Sequence, residues 1–438
     1  MRIAWFTPTR EDSAIWTFSK RVLEELKLVA DVEVWTVREE RLVKSPVPVV
    51  QYDVDGTLKR RLRDYDWTVY NIVNHVSYHA AVFAALEDRT GVCILHDLVM
   101  HHFVAGWYIQ HLHRPDLYVA EMERNYGKDA RDAAIRAVSG QRPPIWETAA
   151  VGAYPLEEPV LRNTAGVVTH SAYACDRVAA DTGLPCISLS FPTPELLPEL
   201  AVEHNPGRHA SLRVLFVGRA GRNRGLDHVI RAVSASPLLS DSVQLRVAGD
   251  LDDDREYANA LRQLVRQAGH CDILLMGRVS EETKYSLYAW ADLALNLRYP
   301  TMGETSWSLL EAMFAGIPSI VSDVGSYHEI PESVTYRVPA EADEGALRSM
   351  LEHIITNRQE LGDRGRSARV YAESTYSAAA YAAGLVNFLQ SLDQRAVLLE
   401  QGRRLGKEMR TLWKDGDPEV AQQLVDTLCR LRPGSPEL

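Results

Sequence analysis

The chain has 438 residues, 46% hydrophobic and 24% charged, with a net charge of −11. That length exceeds one compact core and sets two domains as the expectation. The acidic balance argues against a general affinity for nucleic acid or an anionic membrane, so a phosphate ligand would have to be held by a local cluster of cations and backbone amides.

The N-terminus, "MRIAWFTPTRED", has no signal-peptide core, and no apolar run is long enough to span a bilayer. The expectation is a cytoplasmic protein, with peripheral membrane contact left open and the oligomeric state unassigned. Cys93, Cys175, Cys186, Cys271 and Cys429 show no close spacing, which points to free thiols rather than a disulfide frame or zinc site.

Along the chain, short β-branched runs alternate with helical patterns. The first half offers the strands "RIAWFT", "VEVWTV", "TVYNIVN", "GVCILHD", "GVVTHS" and "CISLSF". Between them lie helices such as "FSKRVLEELKLVA", in which Val22, Leu23, Leu26 and Val29 share a face. A polar stretch with Pro and Gly, residues 199–211, reads as the linker between a first domain at 1–198 and a second at 212–375. The rhythm then restarts with "RVLFVGR", "VQLRVAGD", "DILLMGR", "ADLALNL" and "PSIVSDVG". Helical patterns dominate from about 343, and residues 376–438 read as additional helices, the first crossing back to the first domain. Near-continuous apolar strands alternating with helices imply parallel sheets covered on both faces. The fold class is therefore α/β, two doubly wound domains across a cleft, with ligands expected at the carboxyl ends of the strands.

One stretch, "YPTMGETSWSLLEAMFAG" (299–316), places Glu304 before Thr305 and Ser306 and a second acid, Glu311, seven positions on. A helix over 305–315 would set the two acids on one face about 10 Å apart. Its N-terminal amides and the two hydroxyls would lie between them, a layout suited to ribose, diphosphate and sugar. Glu304 as a helix cap and Glu311 as a surface acid is the plainer reading of either one alone. The apolar neighbours Leu309, Leu310, Ala312 and Met313 count against it for Glu311, because a buried acid needs a partner. A second cluster, "VLFVGRAGRNRGLDHVIRAV", is a strand, a glycine-containing loop and a helix. Gly218 ends the strand, Arg219 follows, and Arg224 stands before Gly225. Two guanidiniums beside a helix N-terminus suit a diphosphate, while Arg222 reads as a solvated neighbour.

Over most of residues 1–390, and most strongly over 213–332, the sequence resembles the retaining glycosyltransferases of glycosyltransferase family four, the branch whose motif reads Gly-Glu-Thr-Ser. The resemblance implies the GT-B fold and transfer of a hexosyl-type sugar from a nucleotide donor, UDP- or GDP-linked, to an acceptor hydroxyl with retention. It implies that Glu311 binds the donor ribose and that Thr305 and Ser306 underlie the diphosphate and sugar. Arg219 and Arg224 pair with the diphosphate, flanked by Gly218 and by Gly249 of "LRVAGD", and the backbone at Arg278 and Val279 reads the base edge. Glu304 stands one position later than the family's usual first acid, with Gly303 in its place. Glu304 and His96 are the residues implied to touch the transferred sugar. Ala14 and Ile15 occupy the loop near diphosphate and acceptor, Ala14 where relatives carry glycine. No cofactor or metal is implied, and the acceptor is a small molecule, glycan or lipid-linked compound.

Other features take plainer readings. His75, His79, His101 and His102 read as structural, "HDLVMHH" lacks a familiar ligand spacing, and Asp252 to Asp254 read as a solvated turn with Asp250 near the cleft. The aromatic run "HHFVAGWYIQHLH" reads as buried packing and the basic run "LKRRLRDYDW" as a solvated face. A sugar-nucleotide hydrolase or epimerase of the same fold and a non-catalytic sugar-nucleotide-binding protein are the competing functions.

Overall fold

The structure is a computed structural model. It describes residues 1–392 except 11–12, 41–42, 55–57, 142, 193–208 and 252–253. Most of the linker expected at 199–211, the helices expected beyond 392, Cys429, and Asp252 and Asp253 of the acidic turn lie outside the described residues.

Two parallel sheets organise the chain. The first contains β1 (Arg2–Phe6), β2 (Asp31–Val37), β3 (Val49–Tyr52), β4 (Trp67–Ile72), β5 (Gly91–Leu95), β6 (Thr164–Thr169) and β7 (Cys186–Ser188), in the order β3-β2-β1-β4-β5-β6-β7. The second contains β8 (Leu212–Val217), β9 (Val243–Ala248), β10 (Asp272–Gly277), β11 (Leu293–Asn296), β12 (Ser319–Ser322) and β13 (Thr335–Val338), in the order β10-β9-β8-β11-β12-β13. Both orders reverse direction after the first strand, and this switch point opens a crevice at the strands' carboxyl ends. Every residue of β4, β5, β6, β11 and β12 is buried, as strands covered on both faces require. The sequence pattern missed β3, a short run just after Pro46 and Pro48, and β13, whose "TYRV" alternates with no long apolar stretch.

One apolar cluster crosses the domain boundary. It joins Trp5, Phe18 and Val69 of the first domain to Leu310, Met313, Phe314 and Tyr327 of the second. The last described helix, Ala378–Ser391, belongs to the same cluster through Tyr381, Leu385, Phe388 and Leu389 and packs on the Ala14–Leu26 helix. Polar contacts also bridge the domains. Leu98 N and Val99 N both donate to Met302 O, at 2.8 and 2.9 Å. Gly303, at φ +74, lets this approach happen, since a Cβ there would stand 2.6 Å from that of Leu98. Glu329 reaches over to accept from Ala172 N and Tyr173 N at the start of the Ala172–Thr182 helix, a favourable place for a carboxylate.

The expected structural histidines are integrated into the first domain. His79 Nδ1 meets Asn71 O, and His101 is fixed between Tyr154 O and the Tyr118 hydroxyl. The aromatic run around it forms a short helix, His101–Ala105, that continues as a π-helix over Gly106–His111. In the basic run, Arg61 lies over the Trp35 ring rather than only in solvent. The described cysteines are free thiols, though folding brings Cys175 beside Cys186 despite their separation in sequence. Among the described residues no helix is long and apolar enough to cross a membrane.

Candidate active site

The two carboxylates of "GETSWSLLE" do not share a helix face. The helix runs Trp307–Phe314, and its N-cap, Ser306, is extended at φ −85 and ψ 111. Glu304 therefore lies three residues before the helix, and the seven-residue spacing loses its helical meaning. Its Oε1 sits 2.8 Å from Arg298 Nε and 3.8 Å from Arg224 Nη1. Its Oε2 accepts from Met302 N and Thr301 Oγ1. Ser306 is buried as well. Its Oγ donates to Asn296 Oδ1 and accepts from Arg298 Nη2, while Thr305 Oγ1 donates across the domain boundary to His170 O. The two hydroxyls expected to face a ligand are thus engaged with protein groups.

Glu311 is the buried acid that needed a partner, and it has three. Its Oε1 accepts from Lys284 Nζ at 2.8 Å and Trp307 Nε1 at 3.0 Å, and its Oε2 accepts from the Tyr288 hydroxyl at 2.9 Å. Lys284 and Tyr288 are four residues apart on the Glu281–Trp290 helix, so both meet the same carboxylate. Burial pulls the Lys284 ammonium down, but Glu311 and Glu281 outweigh it and leave its pKa raised.

The loop after β8 is organised as the sequence suggested. A 3₁₀ turn, Arg222–Arg224, leads to Gly225 and the Leu226–Ala235 helix. Arg222 turns outward to Asp254 and Glu256 and covers the Tyr257 ring, whereas Arg224 turns inward to Glu304. Asn223 fastens the turn to the second motif, its carbonyl accepting from Tyr299 N. Arg219 is exposed, and its charge acts on Asp97 and on His102 across the cleft. Gly218 and Gly249 lie back to back at the ends of β8 and β9. A Cβ on Gly249 would fall 1.7 Å from Gly218 O, so only glycine fits. Arg278 pairs with Asp250 through Nε at 2.9 Å, and Val279 packs near the core beneath the same strand ends. On the first domain, Ala14 and Ile15 open a helix capped by the Ser13 hydroxyl, which accepts from Ile15 N.

His96 occupies the predicted strand end, but its ring is committed to the protein. Asn71 Nδ2 donates to Phe6 O, which leaves Asn71 Oδ1 to accept from His96 Nε2 at 3.2 Å. His96 Nδ1 then accepts from His170 Nε2 at 3.1 Å, and a neutral His170 that spends its one proton there has none for Leu189 O, 3.4 Å from its Nδ1. Phe18 stands edge-on to both imidazoles. Burial, then His170 and His79, hold His96 well below the usual histidine range, and burial lowers His170 to about 4, so both are neutral. With both nitrogens engaged, His96 has no ring donor or acceptor left for a sugar hydroxyl.

The next residue faces the cleft instead. Asp97 Oδ2 accepts from Asn74 N at 2.8 Å, and Asn74 also meets His102 Nδ1 and Phe103 N. Burial first, then the nearby Glu304, push the Asp97 carboxyl up to about 7, against the pull of Asn74 N–H, Arg219 and Arg298. Burial and Arg219 lower His102 to about 4.

The structure thus gathers Arg219, Arg224, Glu304 and Thr305 around the carboxyl edge of the second sheet and adds Arg298 and Asp97. Three guanidiniums against two carboxyls leave an excess of one positive charge even with both acids ionised. Such a cluster can hold an anion and can support charge that develops on one. Arg298, buried beside β11, escaped the sequence reading because nothing in "NLRYP" distinguishes it from a surface arginine. The i, i+4 spacing of Lys284 and Tyr288 was the available signal for the partners of Glu311. Among the described residues, no three His, Cys, Asp or Glu side chains cluster as metal ligands.

Comparison with known proteins bears on this arrangement. Residues 211–357 match the family described as glycosyl transferases group 1. An uncharacterized glycosyltransferase of Methanocaldococcus jannaschii is 31% identical over 160 residues, which covers 33% of this chain and 38% of the relative. The chain therefore spans well under half of that relative's length in the match. Among solved structures, a glycosyltransferase from Rickettsia africae superposes with a TM-score of 0.59 at 10% identity, covering 89% of this chain and 98% of the other. Sucrose-phosphate synthase from Thermosynechococcus elongatus gives 0.58 at 15%, covering 90% and 99%. The Anabaena protein HepE, solved with UDP and glucose, gives 0.58 at 14%, covering 89% and 100%. At such identities these superpositions speak to architecture, which is GT-B across both domains. The chain has the GT-B fold, and residues 211–357 of its second domain match the family described as glycosyl transferases group 1.

Proposed function

We propose that the protein transfers a sugar from a nucleoside diphosphate sugar to an acceptor hydroxyl with retention of anomeric configuration. The observation that carries this reading is the cationic cluster of Arg219, Arg224 and Arg298 at the switch point of the second sheet, beside the start of the Trp307–Phe314 helix. Breaking the anomeric C–O bond sends its electron pair to the diphosphate oxygen. Arg219 and Arg224 would meet that charge, with Arg298 holding Glu304 and the helix start in place. The acceptor oxygen bonds to the anomeric carbon on the same face, and its proton passes to the departing phosphate. No metal is given a part in this scheme.

Glu311 would take the donor ribose. A carboxylate offers about four acceptor sites, and Lys284, Tyr288 and Trp307 fill three, so one remains for a ribose hydroxyl. His96 serves this scheme as a positioning group behind Asp97, which replaces it as the side chain facing the sugar. UDP is the nucleotide in the HepE complexes and is the first base to test here.

The test is a panel of UDP, GDP, UDP-glucose and GDP-mannose scored for thermal stabilisation and for slow nucleotide release without acceptor. One member should raise the melting temperature, and Arg224→Ala should abolish that shift while leaving the unliganded protein nearly unchanged. A panel without any stabilisation would defeat the reading.

A further inference from the structure

The Ala172–Thr182 helix touches both domains. Its first amides are held by Glu329, and a Cβ at Gly325 would stand 3.6 Å from the Tyr173 ring. Ser171 caps it, its Oγ accepting from Ala174 N at 3.2 Å. The Ser171 carbonyl accepts from Cys175 N at 3.1 Å and from the Thr169 hydroxyl at 3.0 Å, so the first turn of the helix is fixed over the end of β6. On the neighbouring strand, Cys186 is in register with Val167, two residues before Thr169 and on the same face of the sheet. Val167, Ala174 and Val178 share one apolar cluster, and Cys186 packs against it, so that face is the one the helix covers. The Cys175 and Cys186 side chains meet there within hydrogen-bonding reach of each other, with the Thr169 hydroxyl beside Cys186.

β7 is the last strand of its sheet, and both thiols are partly exposed, whereas Cys93 in β5 is sealed from solvent. Among the described residues no third His, Cys, Asp or Glu joins them as a metal ligand, and the chemistry of two accessible neighbouring thiols is oxidation. Burial first, then Cys175, push the Cys186 thiol up, which makes it the poorer first nucleophile and leaves that part to Cys175.

We propose that Cys175 and Cys186 form a reversible disulfide in the folded protein, a modification site whose oxidant is a small-molecule disulfide such as oxidised glutathione. The Cys175 sulfur attacks one glutathione sulfur, a mixed disulfide forms, and the first glutathione leaves with the Cys175 proton. Cys186 then attacks the Cys175 sulfur, the mixed disulfide breaks, and the second glutathione leaves with the Cys186 proton. Two protein thiols give up two electrons, and the glutathione disulfide takes them. The new bond ties the first turn of the domain-bridging helix to the edge of the first sheet. This assignment is independent of the transferase reading.

The full chain is equilibrated with reduced and oxidised glutathione over a range of ratios, alkylated, digested and read by mass spectrometry. Peptides joined through Cys175 and Cys186, two hydrogens lighter than the free pair, should build up as oxidised glutathione rises and vanish in excess reduced glutathione. The oxidised protein should melt about 5 °C higher, because the bond restricts the unfolded chain. In Cys186→Ala, glutathione should stay attached to Cys175, and in Cys175→Ala, Cys186 should stay unmodified. The proposal is overturned by the absence of a linked peptide at every ratio, by glutathione persisting on Cys175 of the unaltered protein, or by a link that forms only in urea. A link that lowers the melting temperature counts against it equally, since the folded geometry would then not accommodate the bond.

Discussion

Removing the Glu311 carboxylate tests whether the acid is a held group or a surface one. Glu311→Ala strips a buried lysine of its buried partner, since Lys284 is only 15% exposed and stands 2.8 Å from Glu311. Breaking a buried ion pair from one side costs about 3–5 kcal/mol. Lys284 retains Glu281, also at 2.8 Å but largely exposed, which favours the lower end of that range. The Tyr288 and Trp307 donors, left without an acceptor, add about 1 kcal/mol each. A loss of ~5 kcal/mol should lower the melting temperature of a unit this size by about 15 °C. Glu311→Gln keeps an acceptor toward Lys284 and Trp307 and a donor toward Tyr288, so it should cost only ~1 kcal/mol. Lys284→Met combined with Glu311→Ala should cost less than the sum of the two by at least ~1.5 kcal/mol, because the second change removes a charge the first had stranded. Thermal and urea unfolding of the ligand-free variants measure all four quantities. Additivity within about 0.5 kcal/mol, or a Glu311→Ala cost below ~1 kcal/mol, would refute the argument.

Three more outcomes follow from the same cleft. Asp97 has a pKa near 7 against an ordinary value of about 3.9, so its contribution to stability is full below that ordinary value and is lost as pH rises through 7. The melting temperature of Asp97→Asn relative to the unaltered protein should accordingly climb between pH 5 and pH 7.5 and then level, and a flat difference would contradict it. Arg298→Ala leaves the more distant Arg224 as the cation paired with Glu304 and should cost ~3 kcal/mol, with Arg298→Lys recovering part of it and nucleotide-induced stabilisation lost in both. Glu329→Ala removes the acceptor for Ala172 N and Tyr173 N and should cost ~1 kcal/mol. Hydrogen exchange at those two amides should quicken, and unchanged protection would show that the cross-domain cap does not hold them.

The architecture was legible because most of its parallel strands are buried and read as apolar runs, and eleven runs picked out in the sequence became β1, β2 and β4–β12. Short strands such as β3 and β13 gave too few side chains for a pattern. At the site, the arginines of the loop after β8 could be sorted from sequence, Arg224 inward and Arg222 outward, because the glycines around them define the turn. The orientation of side chains was less accessible. Glu304 was read in a helical frame that begins three residues later, and a serine whose oxygen bonds Asn296 from a distant strand end is what delays it. His96 was placed at the end of its strand, which it directly follows, yet its partners Asn71 and His170 lie 25 and 74 residues away, separations that local spacing cannot reveal. Asp97 was noticed only as its neighbour, since the acids and guanidiniums that single it out come from the other domain.

The helix Ala378–Ser391 has a consequence for how the chain is made. The first sheet is translated early, but Phe18 and its neighbours obtain one of their covers, Tyr381 and Phe388, only after nearly four hundred residues have been added. Until then, that face of the nascent domain stays greasy and exposed on the ribosome, and a chain cut short before this helix should be handed to chaperones or precipitate rather than yield a working half.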